Sequence, residues 1–339
     1  MTSPAPPASP STILSAIVSG PRRALFPRDV PQITELVELC FSGTLDYSSR
    51  HILRNVRWIA QRGELFWKLS ILLGSVNSEE WVVASVWEDE GRVVGNATLT
   101  LRKPENGAWL ISNVAIHPDF RRRGFGRGMI RFALDEIRSR GGRKVYLQVD
   151  VENETAVRMY RELGFEEIGR RINWTRMPGP TTRVDPAASG DPSYRITPRR
   201  ASEWREEYAF WKGISPAGFA WNTPLTAGLF RPSVARWLEQ VLLGESEKHF
   251  LARHGERVEA TLFTFQRFFG WEGFLMQTEG SGGSVELALW KEAWKDTVPQ
   301  VNCLLETVPE SSAAVLEQLG FQKRRTFQWM RYTINGGGP

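Results

Sequence analysis

The alternation of hydrophobic and polar positions between residues 108 and 165 predicts a regular succession of strands and helices. An apolar strand pattern comes first and leads into a loop that contains glycine. After the loop, apolar residues recur at helical spacing from Met129 to Ile137. Residues Lys144–Val151 then alternate as a strand, and a second helix begins after Asn153 and ends at Gly164. The predicted order is strand, glycine loop, helix, strand, helix.

The loop itself, Arg121–Arg127, combines two glycines with four arginines. Glycines let the backbone turn so that N–H groups face an anion at a helix N-terminus, and arginine adds charge-assisted bonds to phosphate. An ordinary basic turn has the same composition, so the residues that follow must decide. A dinucleotide fingerprint is disfavoured because the third glycine, Gly128, comes one residue early, and the Gly-Lys-Ser/Thr of a P-loop is absent.

The loop and the residues after it resemble the GNAT-type N-acetyltransferase superfamily. The family pattern is Arg/Gln-x-x-Gly-x-Gly/Ala, then a strand, then Asn-x-x-Ala-x-x-x-Tyr and Leu-Gly-Phe. The positions that meet it are Arg121, Gly124, Gly126, Asn153, Ala156, Tyr160, Leu163, Gly164 and Phe165. Several elements in the right order and at the right spacing make chance agreement unlikely.

The resemblance implies an acetyl-CoA site. The pyrophosphate would lie on the backbone of Arg122–Arg127, the pantetheine along the strand edge at Val114–Ile116, and Asn153 near its far end. The implied cofactor-binding residues are Val114, Ala115, Ile116, Arg121, Arg122, Arg123, Gly124, Phe125, Gly126, Arg127 and Asn153. Tyr160 matches the family's general acid, which protonates the leaving thiolate.

The general base is not evident from the sequence. Acetyltransferases of protein N-termini, which the segment Ser112–Ile116 most resembles, carry a Glu on the fifth strand, and this chain has Gln148 there. Other acids near in sequence are Asp150, Glu152 and Glu105, and a water chain is an equal alternative. The segment Tyr47–Leu73 is expected to form the helices and loop that shape the acceptor site.

A second copy of the pattern follows at a constant offset. Gln277–Gly282 repeats the loop form and Leu319-Gly320-Phe321 repeats the helix end; 277 − 121 and 320 − 164 both give 156. Between them the pattern predicts a helix at Val285–Trp294, a strand at Val301–Leu305 and a helix at Ser311–Leu319. The expected fold is α/β (α+β), with two GNAT-like domains in tandem, each a mixed, mostly antiparallel central sheet flanked by helices.

The second copy lacks the family's residues at several functional positions. Pro309 stands at the position of Asn153, Leu316 at that of Tyr160, and Glu279 brings a negative charge to the loop. We therefore expect a degenerate, structural or substrate-shaping domain. The predicted boundaries are a Pro/Ala/Ser-rich disordered tail at 1–20, a catalytic domain at 21–177, a linker at 178–193 and the degenerate domain at 194–334.

Composition adds less. The chain of 339 residues is 41% hydrophobic and 24% charged, a composition typical of globular proteins, and it is long enough for two domains.

The net charge of +5 would suit a nucleic-acid partner, but the densest arginine cluster is the glycine loop, so we expect no nucleic-acid partner. Two cysteines on apolar runs, Cys40 and Cys303, indicate buried thiols in a reducing compartment. With no apolar run of membrane-spanning length and no histidine spacing typical of a metal site, we expect a cytoplasmic protein without membrane contact or metal.

The sequence therefore favours an acetyl-CoA-dependent N-acetyltransferase that acts on a primary amine of a small molecule or peptide by direct attack in a ternary complex. The alternatives are a tandem enzyme similar to mycothiol synthase, which acetylates a small amino-sugar thiol, and a non-catalytic acyl-CoA-binding module. The acceptor, the oligomeric state and CoA binding by the second copy stay open.

Overall fold

The computed structural model describes residues 19–43, 47–72, 82–102, 108–177, 193–214, 227–243, 246–267, 270–277, 282–294, 303–307 and 313–334. Most of the predicted tail and linker lies outside these ranges. The predicted α/β class is confirmed, with parallel and antiparallel strand pairs and flanking helices. The chain divides into two compact units, which meet in sequence at Arg143 and Lys144. No helix in the described ranges is long and apolar enough to cross a membrane.

Unit 1 is a four-stranded antiparallel sheet with helices, in the order β1-β2-β3-β4. Its elements are β1 (Gly20–Arg23), α1 (Val30–Phe41), α2 (Tyr47–Ala60), α3 (Glu64–Leu72), β2 (Val82–Asp89), β3 (Arg92–Arg102), β4 (Ala108–Ile116), a 3-10 turn (Pro118–Phe120) and α4 (Phe125–Ser139). Glu90 and Gly91, both at positive φ, form the two-residue turn between β2 and β3, and such turns match the twist of paired strands.

The core of unit 1 lies between its sheet and its helices. Leu36 of α1 packs with Val86, Val93 and Ala115 from three neighbouring strands. The helical spacing seen in the sequence is confirmed in α4, which buries one apolar face. The buried residues of that face are Met129, Ile130, Ala133, Leu134 and Ile137.

Unit 2 contains a longer sheet, in the order β5-β12-β6-β11-β10-β9-β8-β7. Of its described strand pairs, β10 with β11 is parallel and the others are antiparallel. Its elements are β5 (Lys144–Asp150), α5 (Glu154–Glu162), β6 (Glu166–Arg176), β7 (Tyr194–Pro198), a 3-10 turn (Ala201–Glu203), α6 (Trp204–Ile214), α7 (Ala227–Phe230), α8 (Val234–Leu243), β8 (Ser246–His254), β9 (Arg257–Arg267), β10 (Gly270–Gln277), α9 (Gly282–Ala293), β11 (Cys303–Thr307), α10 (Ala313–Gln318) and β12 (Gln322–Thr333).

The two predicted copies exchange strands within unit 2. Strand β12, the last of the second copy, lies between β5 and β6 of the first, while β6 also pairs with β11. Consequently the compact units do not follow the predicted boundaries of 21–177 and 194–334. Those boundaries stay a prediction about the two repeats, whereas packing joins the last strands of both.

The same backbone hydrogen bond closes the equivalent helix in both copies. The amide of Phe165 donates to the carbonyl of Tyr160 at 3.0 Å, and the amide of Phe321 donates to that of Leu316 at 2.9 Å. Gly164 and Gly320 adopt φ of +93° and +81° at these two ends. Such bonds satisfy the last carbonyls of a helix that ends at a left-handed glycine. The offset of 156 therefore corresponds to a shared backbone geometry.

The same exchange mixes the hydrophobic cores. Trp174 of β6 is buried among aromatic residues of the second copy, including Trp271 and Trp290, and its Nε1 donates to the Thr307 hydroxyl at 3.0 Å. This bond satisfies the buried indole N–H of Trp174. β6 is therefore part of the first copy in sequence, but its side chains pack in the hydrophobic core of the second copy.

Candidate active site

A β-bulge near the end of β4 changes the direction in which its last residues point. Two of its residues, Asn113 and Val114, lie opposite a single residue of β3, and Asn113 has φ of +49°. The buried Asn96 donates from Nδ2 to the Asn113 carbonyl at 2.9 Å and so holds the bulge. After it, Ala115 points into the core while Val114 and Ile116 are half-buried. Bulges of this kind change which way a strand presents its groups.

Beyond β4 the chain makes the glycine loop and enters α4. Arg122 has φ of +61° and Gly124, the N-cap of α4, has φ of +82°. The amides of the first turn of a helix have no intrahelical acceptor. Open space lies where a Cβ at Gly124 would point, with no atom within 4 Å. An anion can therefore approach these amides, which fits a pyrophosphate.

The arginine side chains of the loop have different surroundings. Arg121 donates from Nε to the Ile116 carbonyl at 3.1 Å and braces the end of β4. The guanidinium of Arg123 lies 5.0 Å from the ring centre of Phe120, and Arg122 is exposed. The loop thus carries positive charge beside the helix N-terminus, where an anion is stabilised.

Cys40 lies beside this loop. Its Sγ donates to the Ile116 carbonyl at 3.4 Å and accepts from Arg121 at 3.8 Å. Burial raises the pKa of the Cys40 thiol, although the arginine opposes this. Burial likewise raises the pKa of Cys303 to about 11. Both thiols are therefore protonated at neutral pH, and Cys40 is half-buried rather than buried as predicted.

In unit 2, Asn153 and Tyr160 lie at opposite ends of the short helix α5. Asn153 is its N-cap and accepts from the Ala156 amide at 3.2 Å. Tyr160 is 5% exposed and lies edge-on to Phe165, with ring centres 5.7 Å apart. Burial raises the pKa of the Tyr160 phenol above its usual value near 10, so it carries its proton at neutral pH.

Of the three acids named as possible general bases, Asp150 already accepts two hydrogen bonds. The Asp150 carboxylate accepts from Arg325 Nε at 2.6 Å and from the Glu152 amide at 3.0 Å. Glu152 is exposed, and Glu105 lies outside the described residues. Arg325 was not found from the sequence, because it lies 175 residues from Asp150 and no local pattern marks it.

A family model described as "Acetyltransferase (GNAT) family" matches residues 46–165, which include the glycine loop and α5. Residues 46–165 thus correspond to a GNAT acetyltransferase domain. Among curated proteins, it is 40% identical over 62 residues to the [Ribosomal protein bS18]-alanine N-acetyltransferase of Salmonella typhimurium, covering 18% of this chain and 42% of that protein. It is 33% identical over 104 residues to the N-alpha-acetyltransferase RimI of Mycobacterium tuberculosis, covering 30% and 64%. The chain thus spans less than two thirds of either relative.

Solved structures share the fold over nearly the whole chain. A tandem GNAT protein from the clavulanic acid biosynthesis pathway matches 95% of this chain and 99% of its own, with a TM-score of 0.52 and 15% identity. A GCN5-related N-acetyltransferase from Sphaerobacter thermophilus matches 94% and 96%, with a TM-score of 0.54 and 16% identity. At these identities the likeness concerns the fold, and the fold is that of a tandem GNAT protein.

Two helices of the GNAT domain carry exposed apolar side chains. The predicted helices of the acceptor region are found as α2 and α3, and Leu73 lies outside the described residues. Trp58 is 50% exposed and Leu65 is 83% exposed. The guanidinium of Arg62 lies over the Trp58 ring at 3.2 Å from its centre, which is a cation–π contact.

The second copy holds a buried charged cluster that the sequence did not indicate. Glu207, fully buried, contacts His249 Nδ1 at 2.8 Å and Arg199 Nη1 at 3.2 Å, and His249 Nε2 contacts Glu247 at 2.8 Å. A cavity of about 600 Å³ adjoins it. Carboxylates engage both imidazole nitrogens of His249, so neither nitrogen is free to act as a base. The loop residue Glu279 lies outside the described residues.

Proposed function

We propose that the protein is an acetyl-CoA-dependent N-acetyltransferase with its active site in the first copy, acting on a primary amine by direct attack in a ternary complex. The observation that carries the proposal is the glycine loop, whose left-handed Arg122 and Gly124 leave the amides of α4 open to an anion. The family match over 46–165 supports the same reading. The fold alone would not specify a reaction.

The loop residues are proposed to hold the cofactor. The amides of Arg122–Arg127 would bind the pyrophosphate, with the arginine side chains adding charge, and backbone groups of Val114–Ile116 would bind the pantetheine. Asn153 is proposed to contact the pantetheine while its Oδ1 caps α5. When bound, acetyl-CoA would supply an acetyl group activated as a thioester.

Tyr160 is proposed as the general acid. Acyl transfer from a thioester to an amine forms the amide C–N bond and breaks the C–S bond. The attacking amine gives up a proton, for which water is the acceptor we propose, the leaving thiolate takes up a proton, and an N–H donor stabilises the developing oxyanion. Burial keeps the Tyr160 phenol protonated because its pKa is raised, so its hydroxyl holds a proton to donate across the physiological range. A backbone amide of β4 after the bulge is proposed as the oxyanion donor.

The acceptor is proposed to bind at the exposed surface of α2 and α3. Trp58 and Leu65 offer apolar area there, beside the cation of Arg62. The curated relatives are named for acetylation of ribosomal protein bS18 at alanine and for N-alpha acetylation. A peptide with a free N-terminal alanine is therefore the first acceptor to test, followed by small primary amines and amino sugars.

The experiment is a thiol-release assay with acetyl-CoA and this acceptor panel, run on wild type and on Tyr160→Phe. We expect wild type to turn over at least one amine class and Tyr160→Phe to lose most of that activity. Turnover unchanged by Tyr160→Phe would remove Tyr160 from the mechanism.

A second candidate is a non-catalytic acyl-CoA-binding module. It is favoured by one observation: β5 carries Gln148 where the family resemblance leads us to expect Glu, and the nearby Asp150 is paired with Arg325. Saturable acetyl-CoA binding without turnover on any amine of the panel would support this module over the enzyme.

A further inference from the structure

The turn between β5 and α5 is held by a strand of the second copy. The Asp150 carboxylate bridges two groups, accepting from Arg325 Nε at 2.6 Å through Oδ2 and from the Glu152 amide at 3.0 Å through Oδ1. The Asp150 side chain is 11% exposed and Arg325 is 31% exposed. A charge-assisted bond in such partial burial fixes geometry more firmly than a surface ion pair does.

Backbone bonds tie the same turn to β12. The amide of Val151 donates to the Thr326 carbonyl at 3.0 Å, next to Arg325 in sequence. The amide of Asn153 donates to the Asp150 carbonyl, also at 3.0 Å, and the Asn153 side chain then caps α5. The start of the helix that carries Tyr160 is thus set through Asp150 by residues of β12.

The far end of α5 rests on β12 as well. Phe165, which packs edge-on against Tyr160, has its ring centre 5.3 Å from that of Tyr332. Gly164 at the helix end has φ of +93°, and a Cβ there would lie 3.3 Å from the Tyr332 ring. One strand therefore supports α5 at both ends.

From these contacts we infer that β12 of the second copy is a working part of the first copy's acetyl-transfer site, with Arg325 a positioning residue that acts on Tyr160 through Asp150 and the Asn153 cap. The inference rests on the proposed function, since it assigns Tyr160 the acid's role. It gives the degenerate copy a specific task, which is to orient α5.

The inference also assigns Asp150 a role. Both carboxylate oxygens are engaged, so Asp150 orients the turn and is not the general base. If it were the base, Asp150→Asn would remove chemistry that Arg325→Gln leaves in place. If it positions α5, the two substitutions break one linkage and their effects do not add.

The first arm of the test needs no acceptor. Hydrogen–deuterium exchange is measured on the full chain for peptides that cover residues 150–160, in wild type, Arg325→Gln, Arg325→Lys and Arg324→Gln. Arg324 is the matched control, an exposed neighbour on the same strand. We expect Arg325→Gln to raise exchange of these amides about tenfold, Lys to restore most of the protection, and the control to match wild type.

The second arm compares kcat and KM for acetyl-CoA with the N-terminal alanine peptide, or with whichever amine of the panel turns over. We expect Arg325→Gln, Asp150→Asn and the double variant each to lower kcat about tenfold, with KM within about twofold of wild type. Equal unfolding midpoints of the Gln and Lys variants would separate positioning from loss of fold.

The two arms distinguish a failure of the proposed function from a failure of the inference about β12. An inactive wild type would count against the proposed function, and the exchange arm would still decide whether Arg325 orients α5. Exchange and kcat in Arg325→Gln equal to those of Arg324→Gln would overturn it. So would a Lys variant as impaired as Gln, or an Asp150→Asn loss that far exceeds that of Arg325→Gln.

Discussion

The indole of Trp87 occupies the space that a side chain at Gly128 would need: a Cβ there would lie 2.6 Å from Cζ3 of the ring. Trp87 also stacks on Phe125, the first residue of α4, with ring centres 4.4 Å apart and planes 12° from parallel. The first turn of α4 therefore lies directly on β2, and the amides proposed to bind pyrophosphate are fixed by this packing.

Gly128→Ala should push α4 away from Trp87. Because overpacking of a tight contact forces the backbone to shift, we expect a loss of about 1–3 kcal/mol in the free energy of unfolding and weaker acetyl-CoA binding. Urea unfolding and calorimetry measure the two effects. The control is Gly213→Ala on α6, where no atom lies within 4 Å of the added Cβ; a loss there as large as at Gly128 would contradict the explanation.

Arg122→Gly should separate binding from stability. Removing a side chain from a left-handed residue relieves strain of about 1 kcal/mol, which offsets the added freedom of the unfolded chain. We expect stability at or above wild type, with acetyl-CoA affinity about fivefold lower because one phosphate contact is lost. Arg123→Gly, at a residue without positive φ, should lose both stability and affinity.

The control for binding is Arg131→Ala on the exposed side of α4, which should leave acetyl-CoA affinity unchanged. If Arg122→Gly bound acetyl-CoA as wild type does at low salt, where charge contacts are strongest, the Arg122 side chain would not contact the pyrophosphate.

Asn153 has two proposed roles that its variants can distinguish. Asn153→Ala should cost about 1 kcal/mol of stability because α5 loses its cap, whereas Asn153→Asp keeps an acceptor for the Ala156 amide and should be near wild type. Both remove the amide N–H donors. If these contact pantetheine, both variants should bind acetyl-CoA about fivefold more weakly by calorimetry. Normal affinity in Asn153→Asp would leave only the cap.

Tyr160→Phe should lower kcat about a hundredfold and leave acetyl-CoA affinity nearly intact, since it removes only the acid. Burial raises the pKa of Tyr160 above 10, so the wild-type rate should show no alkaline decline from this group between pH 7 and 10. The stabilisation from keeping the phenol neutral is complete below pH 10 and is lost as pH rises above it. Unfolding curves at pH 9 and pH 11 should therefore diverge between wild type and the Phe variant.

The sequence predicted local elements well because they depend on local rules. The cap at Asn153, the left-handed glycine at Gly164 and the apolar face of α4 each follow from residues within a few positions, and the repeat offset predicted the matching end at Gly320. Strand exchange could not be predicted, since pairing of β12 with β5 and β6 depends on long-range contacts. For the same reason the sequence did not predict that Arg325 bonds to Asp150, or that the Arg121 side chain donates to the Ile116 carbonyl.

Acetyl-CoA binding at the loop of the first copy is tested most directly by calorimetric stoichiometry on the full chain, in wild type and in Gly124→Trp, which fills the open space before α4. We expect one molecule per chain in wild type and none in the variant. Two molecules per chain, or binding that survives Gly124→Trp, would contradict this expectation, because the functional site would then not be the loop of the first copy alone.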